Sequence, residues 1–250
     1  MFKINESSNE LLDYIENSLA ENCVKKMTYK NDSSSKVILY QNKNNGRYVI
    51  KRFTKNLNDG VFKTLKNKHH KNIVRIYDVC IDEQGALIAL EEFVEGNTLY
   101  TILKSGKMSK KAACRIAIQI CDALSFLHSM GIIHRDIKPE NIIIKDDGTA
   151  VLIDFSIARL MSNHDKDTQQ LGTPGYAAPE QFGIFQSGCS TDIYSLGVLM
   201  NIMVTGAHPS VDLPNGLLKH IIKKCTRIQI NKRYLNADSL KKSIILASKL

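Results

Sequence analysis

The stretch IIHRDIKPENIIIKDDGTAVLIDFSIARL, residues 132–160, places charged side chains between runs of Ile, Leu and Val. Its most informative polar residues are Asp136, Lys138, Asn141 and Asp154. A charged group beside a buried strand costs free energy unless the charge serves a purpose. The spacing predicts a loop followed by two short strands, and the polar side chains make this loop a candidate functional site.

The sequence pattern changes from strands to helices along the chain. The segments before Gly96 are mostly typical of β-hairpins, whereas those after it repeat apolar residues at helical spacing. We therefore predict a single α+β domain over residues 1–250. Its N-lobe, about residues 1–94, is a small antiparallel sheet preceded by a helix at 7–22. Its C-lobe, about residues 95–250, is mainly helical, and the charged loop lies at the junction, where ligand sites are common.

The composition is typical of a globular domain that stays inside the cell. The chain has 250 residues and a hydrophobic fraction of 43%. No apolar run approaches the roughly 18 residues that a membrane helix needs, and the polar start is unlike a secretory signal. The six cysteines show no CxxC spacing, which favours reduced thiols. We predict a cytoplasmic protein without a membrane segment.

The net charge of +9 raises the question of nucleic-acid binding. The lysines are spread over almost every segment, and the aromatic residues do not interleave with them as a base-stacking surface requires. We therefore predict no nucleic-acid partner. The positive charge would still favour acidic protein partners.

Several motifs occur in order along the chain and resemble those of one enzyme family. They are YVIK at 48–51, HRDIKPEN at 134–141, DFS at 154–156 and GTPGYAAPE at 172–180, followed by Asp192 and Arg233. Together they resemble eukaryotic-like (Hanks-type) protein kinases over about residues 37–240. The resemblance implies a two-lobed protein-kinase-like fold. It also implies phosphorylation of Ser/Thr hydroxyls on protein substrates, with ATP and Mg²⁺ as cofactors and autophosphorylation as one outcome.

Phosphoryl transfer needs in-line positioning and neutralised phosphate charge, and the motif residues suit both tasks. By the resemblance, Asp136 accepts or orients the proton of the substrate hydroxyl. Lys138 lies near the transferred phosphate, as in Ser/Thr kinases. Asn141 and Asp154 supply oxygens for Mg²⁺, and Lys51 on the third strand holds the α- and β-phosphates.

The resemblance also implies residues for the rest of the nucleotide site and for the architecture. The ATP-binding residues are Val37, Val49, Ile143, the gatekeeper Glu91, and the hinge residues Glu92 and Val94, whose backbone bonds adenine. The architectural residues are Asp192, a Glu180–Arg233 ion pair, and a hydrophobic spine of Leu65, Ile76, His134 and Phe155.

In the activation segment, Thr168 is the preferred phosphorylation site, because a phosphate there could pair with Arg135. Thr173 is expected to contact the substrate loop and Asp136. An unmodified flexible loop remains the alternative for both threonines.

The sequence departs from the family pattern at the nucleotide loop and on the helix after the third strand. The three glycines of that loop would fall at Lys30, Asp32 and Ser35, and glycine lets backbone N–H groups approach phosphates closely. Val61 stands where the family has a glutamate that pairs with the third-strand lysine. Val49 replaces a small alanine that usually covers adenine.

Glu91 is a carboxylate at a position where an apolar residue is usual, and a buried charge there is expensive unless it is paired. We hypothesise that Glu91 pairs with Lys51 and replaces the missing glutamate. The alternative is a strand register shifted by one residue, with Glu91 facing solvent.

Three functions compete. An active Ser/Thr protein kinase is favoured, because both Asp136 and Asp154 are present. A pseudokinase, acting as a nucleotide-binding or scaffolding module, is the alternative, supported by the absent glycines, Val61, Val49 and Ser156. The GTPGYAAPE segment argues against a kinase of small molecules. The Lys/Asn/Ile-rich composition suggests a bacterial source, and the oligomeric state is not encoded in any pattern that we recognise.

Overall fold

The computed structural model describes residues 6–31, 35–54, 59–161, 172–182 and 186–249. The chain divides into two compact units. The smaller unit is Met1–His69 with Val74–Val94, and the larger is His70–Ile73 with Glu95–Leu250. The smaller contains an antiparallel sheet and the larger is mainly helical, which confirms the predicted α+β fold class.

The smaller unit is built on a five-stranded antiparallel sheet in the order β1-β2-β3-β5-β4. Its strands are β1 (Cys23–Asn31), β2 (Ser35–Asn42), β3 (Tyr48–Thr54), β4 (Ile76–Ile81) and β5 (Leu87–Glu92), and its helices are α1 (Glu6–Asn22) and α2 (Asp59–Leu65). The turn between β2 and β3 is closed by Asn42, whose Oδ1 accepts hydrogen bonds from the backbone N–H groups of Asn44 and Asn45.

Helix α1 covers one face of this sheet. Its buried residues Ile15 and Leu19 pack against Cys80 and Ile88 of the sheet. Partly buried side chains surround this cluster: Leu11, Leu12, Cys23, Tyr40, Val49, Phe53 and Leu90. The apolar side chains of α1 recur at helical spacing and therefore form one stripe that the sheet buries.

The opposite face of the sheet carries a second apolar cluster. Val37 and Leu39 of β2 pack with Ile50 of β3, and Phe93 contacts them from the end of β5. Because successive side chains of a strand point to opposite faces, this face is separate from the one that α1 covers.

The described part of the larger unit contains five α-helices and short strands. The helices are α3 (Leu99–Lys104), α4 (Lys110–Ser129), α5 (Cys189–Thr205), α6 (Leu217–Cys225) and α7 (Ala237–Ser248), and the strands are β6 (Asn97–Thr98), β7 (Ile132–Ile133), β8 (Ile142–Ile144), β9 (Ala150–Leu152) and β10 (Arg159–Leu160). The strands form two small sheets, β6-β8-β9 and β7-β10. Strands β8 and β9 are the two that the opening stretch predicts.

Local sequence explains the ends and the burial of the main helices. The Ser109 side chain caps α4 by accepting a hydrogen bond from the Ala112 N–H at 3.2 Å. Gly131 follows α4 with a φ of 71°, a left-handed conformation that glycine adopts without strain. Helix α5 is buried on nearly every side, and Gly197 lets it approach Cys225 closely. Within the described part of the chain, no helix has the length and apolar character needed to cross a membrane.

Candidate functional site

Asp192 of α5 fixes the backbone of the charged loop. Its carboxylate accepts hydrogen bonds from the backbone N–H of His134 at 3.0 Å and of Arg135 at 2.8 Å. Arg135 has a φ of 65°, a left-handed conformation that is uncommon for a residue with a side chain. The buried carboxylate therefore holds the loop in a conformation that the sequence alone would not favour.

The same carboxylate binds His128 at the end of α4, with 2.8 Å between His128 Nε2 and Asp192 Oδ2. Burial on its own would lower the pKa of His128, but the hydrogen bond and charge of Asp192, with a contribution from Cys189, raise it to about 9. His128 is therefore protonated at neutral pH. The ion pair links α4, α5 and the loop.

We predict that folding stability falls as pH rises from about 6.5 to above 9, because His128 binds its proton more tightly when folded. The contribution of His128 to folding stability is fully present below about pH 6.5, the pKa of an unfolded histidine. It is lost as the pH rises through the pKa of about 9 in the folded protein. Its size is on the order of 1–3 kcal/mol. Urea unfolding of wild type and His128→Gln across this pH range measures it. A difference in unfolding free energy between the two proteins that does not change with pH would contradict a charged His128–Asp192 pair.

Asp136 accepts hydrogen bonds from three side chains that the sequence predicts at the site. Asn141 Nδ2 and Lys138 Nζ each lie 2.8 Å from Asp136 Oδ2. The hydroxyl of Thr173 donates to Asp136 Oδ1 at 2.7 Å and accepts from Lys138 Nζ at 2.8 Å. The structure thus brings Asp136, Lys138, Asn141 and Thr173 together. The carboxylate is mostly buried, yet a hydroxyl reaches it at hydrogen-bonding distance.

Asn141 and Asp154 are positioned side by side by the backbone. Asn141 ends the 3₁₀ turn Pro139–Asn141, and its carbonyl accepts a hydrogen bond from the Ile153 N–H at 2.9 Å. Asp154 follows directly with a left-handed φ of 65°, and its Oδ1 accepts the Ser156 N–H at 3.1 Å. Both Asn141 side-chain hydrogen bonds to described residues use Nδ2, so its Oδ1 is the atom that could bind a cation.

The predicted ion pair between Glu180 and Arg233 is present and buried. Arg233 Nη1 and Nη2 lie 2.6 and 2.9 Å from the two carboxylate oxygens of Glu180. Thr191 adds a hydrogen bond to Glu180 Oε1 at 2.9 Å. This two-pronged contact ties the segment before α5 to the turn that precedes α7.

Gln181 is a site residue that sequence reasoning missed. Its Nε2 donates to the carbonyl of Arg135 at 2.8 Å, and its Oε1 accepts the Ala178 N–H at 3.0 Å. It therefore joins the GTPGYAAPE segment to the charged loop. Glutamine is usually exposed, and no signal in a single sequence distinguishes this buried one.

The members of the predicted spine are buried within their own units. His134 and Phe155 pack edge to face in the larger unit, with ring centroids 5.1 Å apart. Burial lowers the pKa of His134, which is consistent with a packed, neutral ring. Leu65 and Ile76 are buried in the smaller unit, and a spine that links the units stays a prediction.

In the smaller unit, the hypothesised pair between Glu91 and Lys51 is wrong. Glu91 instead binds Arg52, with its carboxylate oxygens 2.7 Å from Arg52 Nε and 3.2 Å from Nη2. Lys51 is ion-paired with Glu16 of α1. The register explains the difference, since Glu91 lies opposite Ile50 and therefore shares a face with Arg52. Glu91 is 3% exposed, so the alternative of a solvent-facing Glu91 is also wrong.

The side chains predicted to line one ATP pocket are divided between the two faces of the sheet. Val37 lies opposite Arg52 and packs with Ile50. Val49 belongs to the cluster under α1, and Lys51 lies on the same face as Val49. Val37 therefore lies on the face of the sheet opposite to that of Val49 and Lys51, because it is the cross-strand partner of Arg52. Contact of these three residues with ATP stays a prediction.

The other predicted ATP-binding residues lie in or just after strands β5 and β8. Glu92 ends β5 and its N–H donates to the Arg75 carbonyl at 2.9 Å, while Val94 is buried two residues later. Ile143 is partly buried in β8 between Thr98 and Val151. Their contact with adenine stays a prediction.

The preferred phosphorylation site Thr168 lies outside the described residues. Arg135, its predicted partner, donates from Nε to the Ile157 carbonyl at 2.7 Å. Pairing of a phosphate on Thr168 with Arg135 stays a prediction.

Comparison with known proteins identifies a family. The sequence model of the protein kinase domain matches residues 31–246. A probable serine/threonine-protein kinase of Clostridium acetobutylicum is 41% identical over 155 residues, which are 60% of this chain and 23% of that protein. A probable serine/threonine-protein kinase of Clostridium perfringens is 34% identical over 185 residues, 72% of this chain and 26% of that protein.

A plant protein is similar to the same extent. CBL-interacting protein kinase 21 of Oryza sativa subsp. japonica is 35% identical over 171 residues, 66% of this chain and 32% of that protein. In these three comparisons, the chain spans between 23% and 32% of the relative's length.

Proposed function

Since this chain belongs to the protein kinase domain family, we propose that it transfers the γ-phosphate of ATP to serine and threonine hydroxyls of proteins. The observation that carries this proposal is the hydrogen bond from the Thr173 hydroxyl to Asp136 at 2.7 Å. A threonine hydroxyl already occupies the kind of position that a substrate hydroxyl needs. The acceptor is a carboxylate that two further polar side chains orient.

Asp136 acts in this mechanism by orienting the substrate hydroxyl and accepting its proton. Its Oδ2 is engaged by Asn141 and Lys138, each at 2.8 Å, which leaves Oδ1 directed at the hydroxyl. A base must be within hydrogen-bonding reach of the proton that it takes, and the observed geometry satisfies this condition.

Lys138 supports the transferred phosphoryl group. Its ammonium group donates to the Thr173 hydroxyl at 2.8 Å, so it lies next to the position proposed for the attacking oxygen. A fixed positive charge there stabilises negative charge on the moving phosphoryl group. Its side chain is 20% exposed, so a phosphate can reach it.

The residues present fit a magnesium ion. Asn141 Oδ1 is a neutral oxygen ligand and the Asp154 carboxylate is an anionic one, and Mg²⁺ prefers oxygen ligands. Mg²⁺ commonly binds one or two protein carboxylates together with substrate phosphates. Bound Mg²⁺ supplies charge neutralisation across the ATP phosphates. Asn141 and Asp154 would hold it, with the turn at 139–141 and the backbone bond from Ile153 fixing their spacing.

A pseudokinase that binds nucleotide or serves as a scaffold is the second candidate, and one observation favours it. Val61, at the family's glutamate position, is fully buried in α2. The described helix, DGVFKTL, offers no glutamate to pair with a cation of β3. Helix α2 therefore lacks the glutamate that pairs with the third-strand cation in this family. Kinase activity of this chain would need a residue outside α2 to hold that cation.

An assay of binding and transfer separates the two candidates. The purified chain is titrated with MgATP by calorimetry and then incubated with γ-³²P-ATP and a general protein acceptor such as casein. We expect saturable MgATP binding and acid-stable label on serine or threonine, with label on the chain itself reporting autophosphorylation. Binding without transfer would overturn the kinase proposal in favour of the pseudokinase.

The remaining sequence-based expectations also stay proposals. Protein substrates follow from the family, and the absence of a nucleic-acid partner, the bacterial source and the cytoplasmic location are inferred from the sequence. Two of the relatives described above come from Clostridium species, which supports a bacterial source.

A further inference from the structure

One stretch of the larger unit is basic and has no acidic residue to balance it. Residues 213–237 contain six lysines and arginines and neither aspartate nor glutamate. These 25 of the 250 residues contribute +6 to the net charge of +9. Lysines occur along the whole chain, but most of the excess positive charge is concentrated here.

Five of these six cations reach solvent on α6 and on the loop that follows it. We call these five residues the basic surface: Lys219, Lys223, Lys224, Arg227 and Lys232. None of the five forms an ion pair with another residue that the structure describes. A surface with no counter-charge in its own chain is complementary to an acidic partner.

Helix stability does not explain the basic surface. Lys219 and Lys223 are four residues apart on α6, and like charges at this spacing destabilise a helix. Only Lys223 and Lys224 lie in the last turn of α6, where a cation interacts favourably with the helix dipole. A charge pattern that breaks a local rule without a local gain indicates a function.

Two adjacent residues connect the basic surface to the charged loop. Glu180 binds Arg233, whose Nε donates a hydrogen bond to the Arg227 carbonyl at 2.7 Å. Gln181 Nε2 donates to the carbonyl of Arg135 in the charged loop at 2.8 Å. The basic surface is therefore held in a fixed position relative to that loop. A protein bound to it through one segment can present another segment to the loop.

We propose that the basic surface binds a segment of the protein substrate that is rich in aspartate and glutamate. This inference rests on the proposed function, and it names the class of substrate that the chain favours. Attraction between opposite charges over several ångströms also speeds the encounter with such a substrate.

The composition of α6 favours a protein partner over a lipid surface. A helix that binds a membrane inserts an apolar face beside its basic face. In α6, the apolar side chains of Leu218, Ile221 and Ile222 are buried in the larger unit. Leu217 is the one exposed apolar residue of this helix, so the outward face offers charge but little apolar area.

Binding of a fluorescein-labelled oligoglutamate peptide, followed by anisotropy at low ionic strength, tests the proposal without catalysis. Lys219→Glu/Lys223→Glu reverses two charges of the basic surface, and we expect the Kd to rise about tenfold or more. Lys25→Glu/Lys26→Glu is the matched control, because it changes the net charge equally at two exposed residues of β1. We expect its Kd to stay within about threefold of wild type. Equal losses for both variants would overturn the proposal.

Phosphate transfer to dephosphorylated casein, an acidic protein, gives a second readout. We expect Lys219→Glu/Lys223→Glu to raise KM about tenfold and to change kcat far less, because it weakens docking rather than the chemical step. An unchanged KM would contradict docking of the substrate. Should this variant not fold, Arg227→Glu/Lys232→Glu tests the same surface with the same expected results.

The failure of this inference and that of the proposed function are distinguishable. Wild type that transfers phosphate but does not bind the peptide overturns this inference and leaves the proposed function standing. Wild type that binds the peptide but transfers no phosphate overturns the proposed function, and substrate docking with it. Sedimentation with phosphatidylserine–phosphatidylcholine vesicles tests the lipid alternative, and vesicle binding without peptide binding would assign the basic surface to a membrane.

Discussion

Asp136→Asn is expected to slow phosphate transfer by about 10³-fold without unfolding the protein. Asparagine has nearly the same shape and still accepts the Thr173 hydroxyl that lies 2.7 Å from Oδ1. It cannot take a proton, and Lys138 loses the carboxylate 2.8 Å from its Nζ. Initial rates with γ-³²P-ATP and casein, at saturating MgATP, measure the effect. Calorimetry of MgATP binding shows whether nucleotide affinity is preserved.

A matched control comes from an exposed turn of the same unit. Asp147→Asn makes the same chemical change at an exposed side chain whose Oδ1 accepts the Thr149 N–H at 2.8 Å, a bond that asparagine can keep. We expect its transfer rate to stay within about twofold of wild type. Asp136→Asn activity within tenfold of wild type would show that Asp136 is not the base.

Glu180→Ala is expected to lower the free energy of unfolding by about 3–5 kcal/mol. The substitution leaves the guanidinium of Arg233 buried, with its side chain 0% exposed, and without the carboxylate that binds it through two oxygens. It also removes the acceptor of the Thr191 hydroxyl. Urea unfolding followed by circular dichroism measures the loss.

The control for Glu180→Ala is an ion pair on the surface of α2. Lys63→Ala removes the partner of Asp59, whose Oδ2 lies 2.6 Å from Lys63 Nζ. The Lys63 side chain is 59% exposed and that of Asp59 is 38% exposed. Exposed pairs contribute little, so we expect a change within about 0.5 kcal/mol. A loss below about 1 kcal/mol for Glu180→Ala would mean that water or another group replaces the carboxylate.

The grouping of the loop residues with Asp136 could be predicted because they lie close together in sequence, whereas the contact of Thr173 with Asp136 was expected from the family resemblance. Asp136, Lys138 and Asn141 share one loop, and Asp154 follows the hairpin that begins directly after Asn141. Short-range geometry leaves few other places for these side chains. The more distant Asp192 and Arg233 could be predicted only through resemblance, since nothing local indicates that Asp192 caps the loop or that Arg233 meets Glu180.

The errors in the smaller unit have one physical cause. In the run of Val49, Ile50, Lys51 and Arg52, both alternating sets contain one apolar residue and one cation. Cross-strand pairing and the packing of α1 then decide which set points to which face of the sheet. A single sequence determines neither of these. The motif placed Lys51 with Glu91, whereas the register places Arg52 there.

The proposed function requires Asp136, Asn141 and Asp154 to form one centre for phosphate transfer from ATP. Crystals grown with a non-hydrolysable ATP analogue and Mn²⁺, in place of Mg²⁺, test it through the anomalous scattering of the metal. We expect a Mn²⁺ ion within about 2.5 Å of both a carboxylate oxygen of Asp154 and Oδ1 of Asn141, with phosphate oxygens as its remaining ligands. A bound analogue whose metal touches neither residue would contradict it.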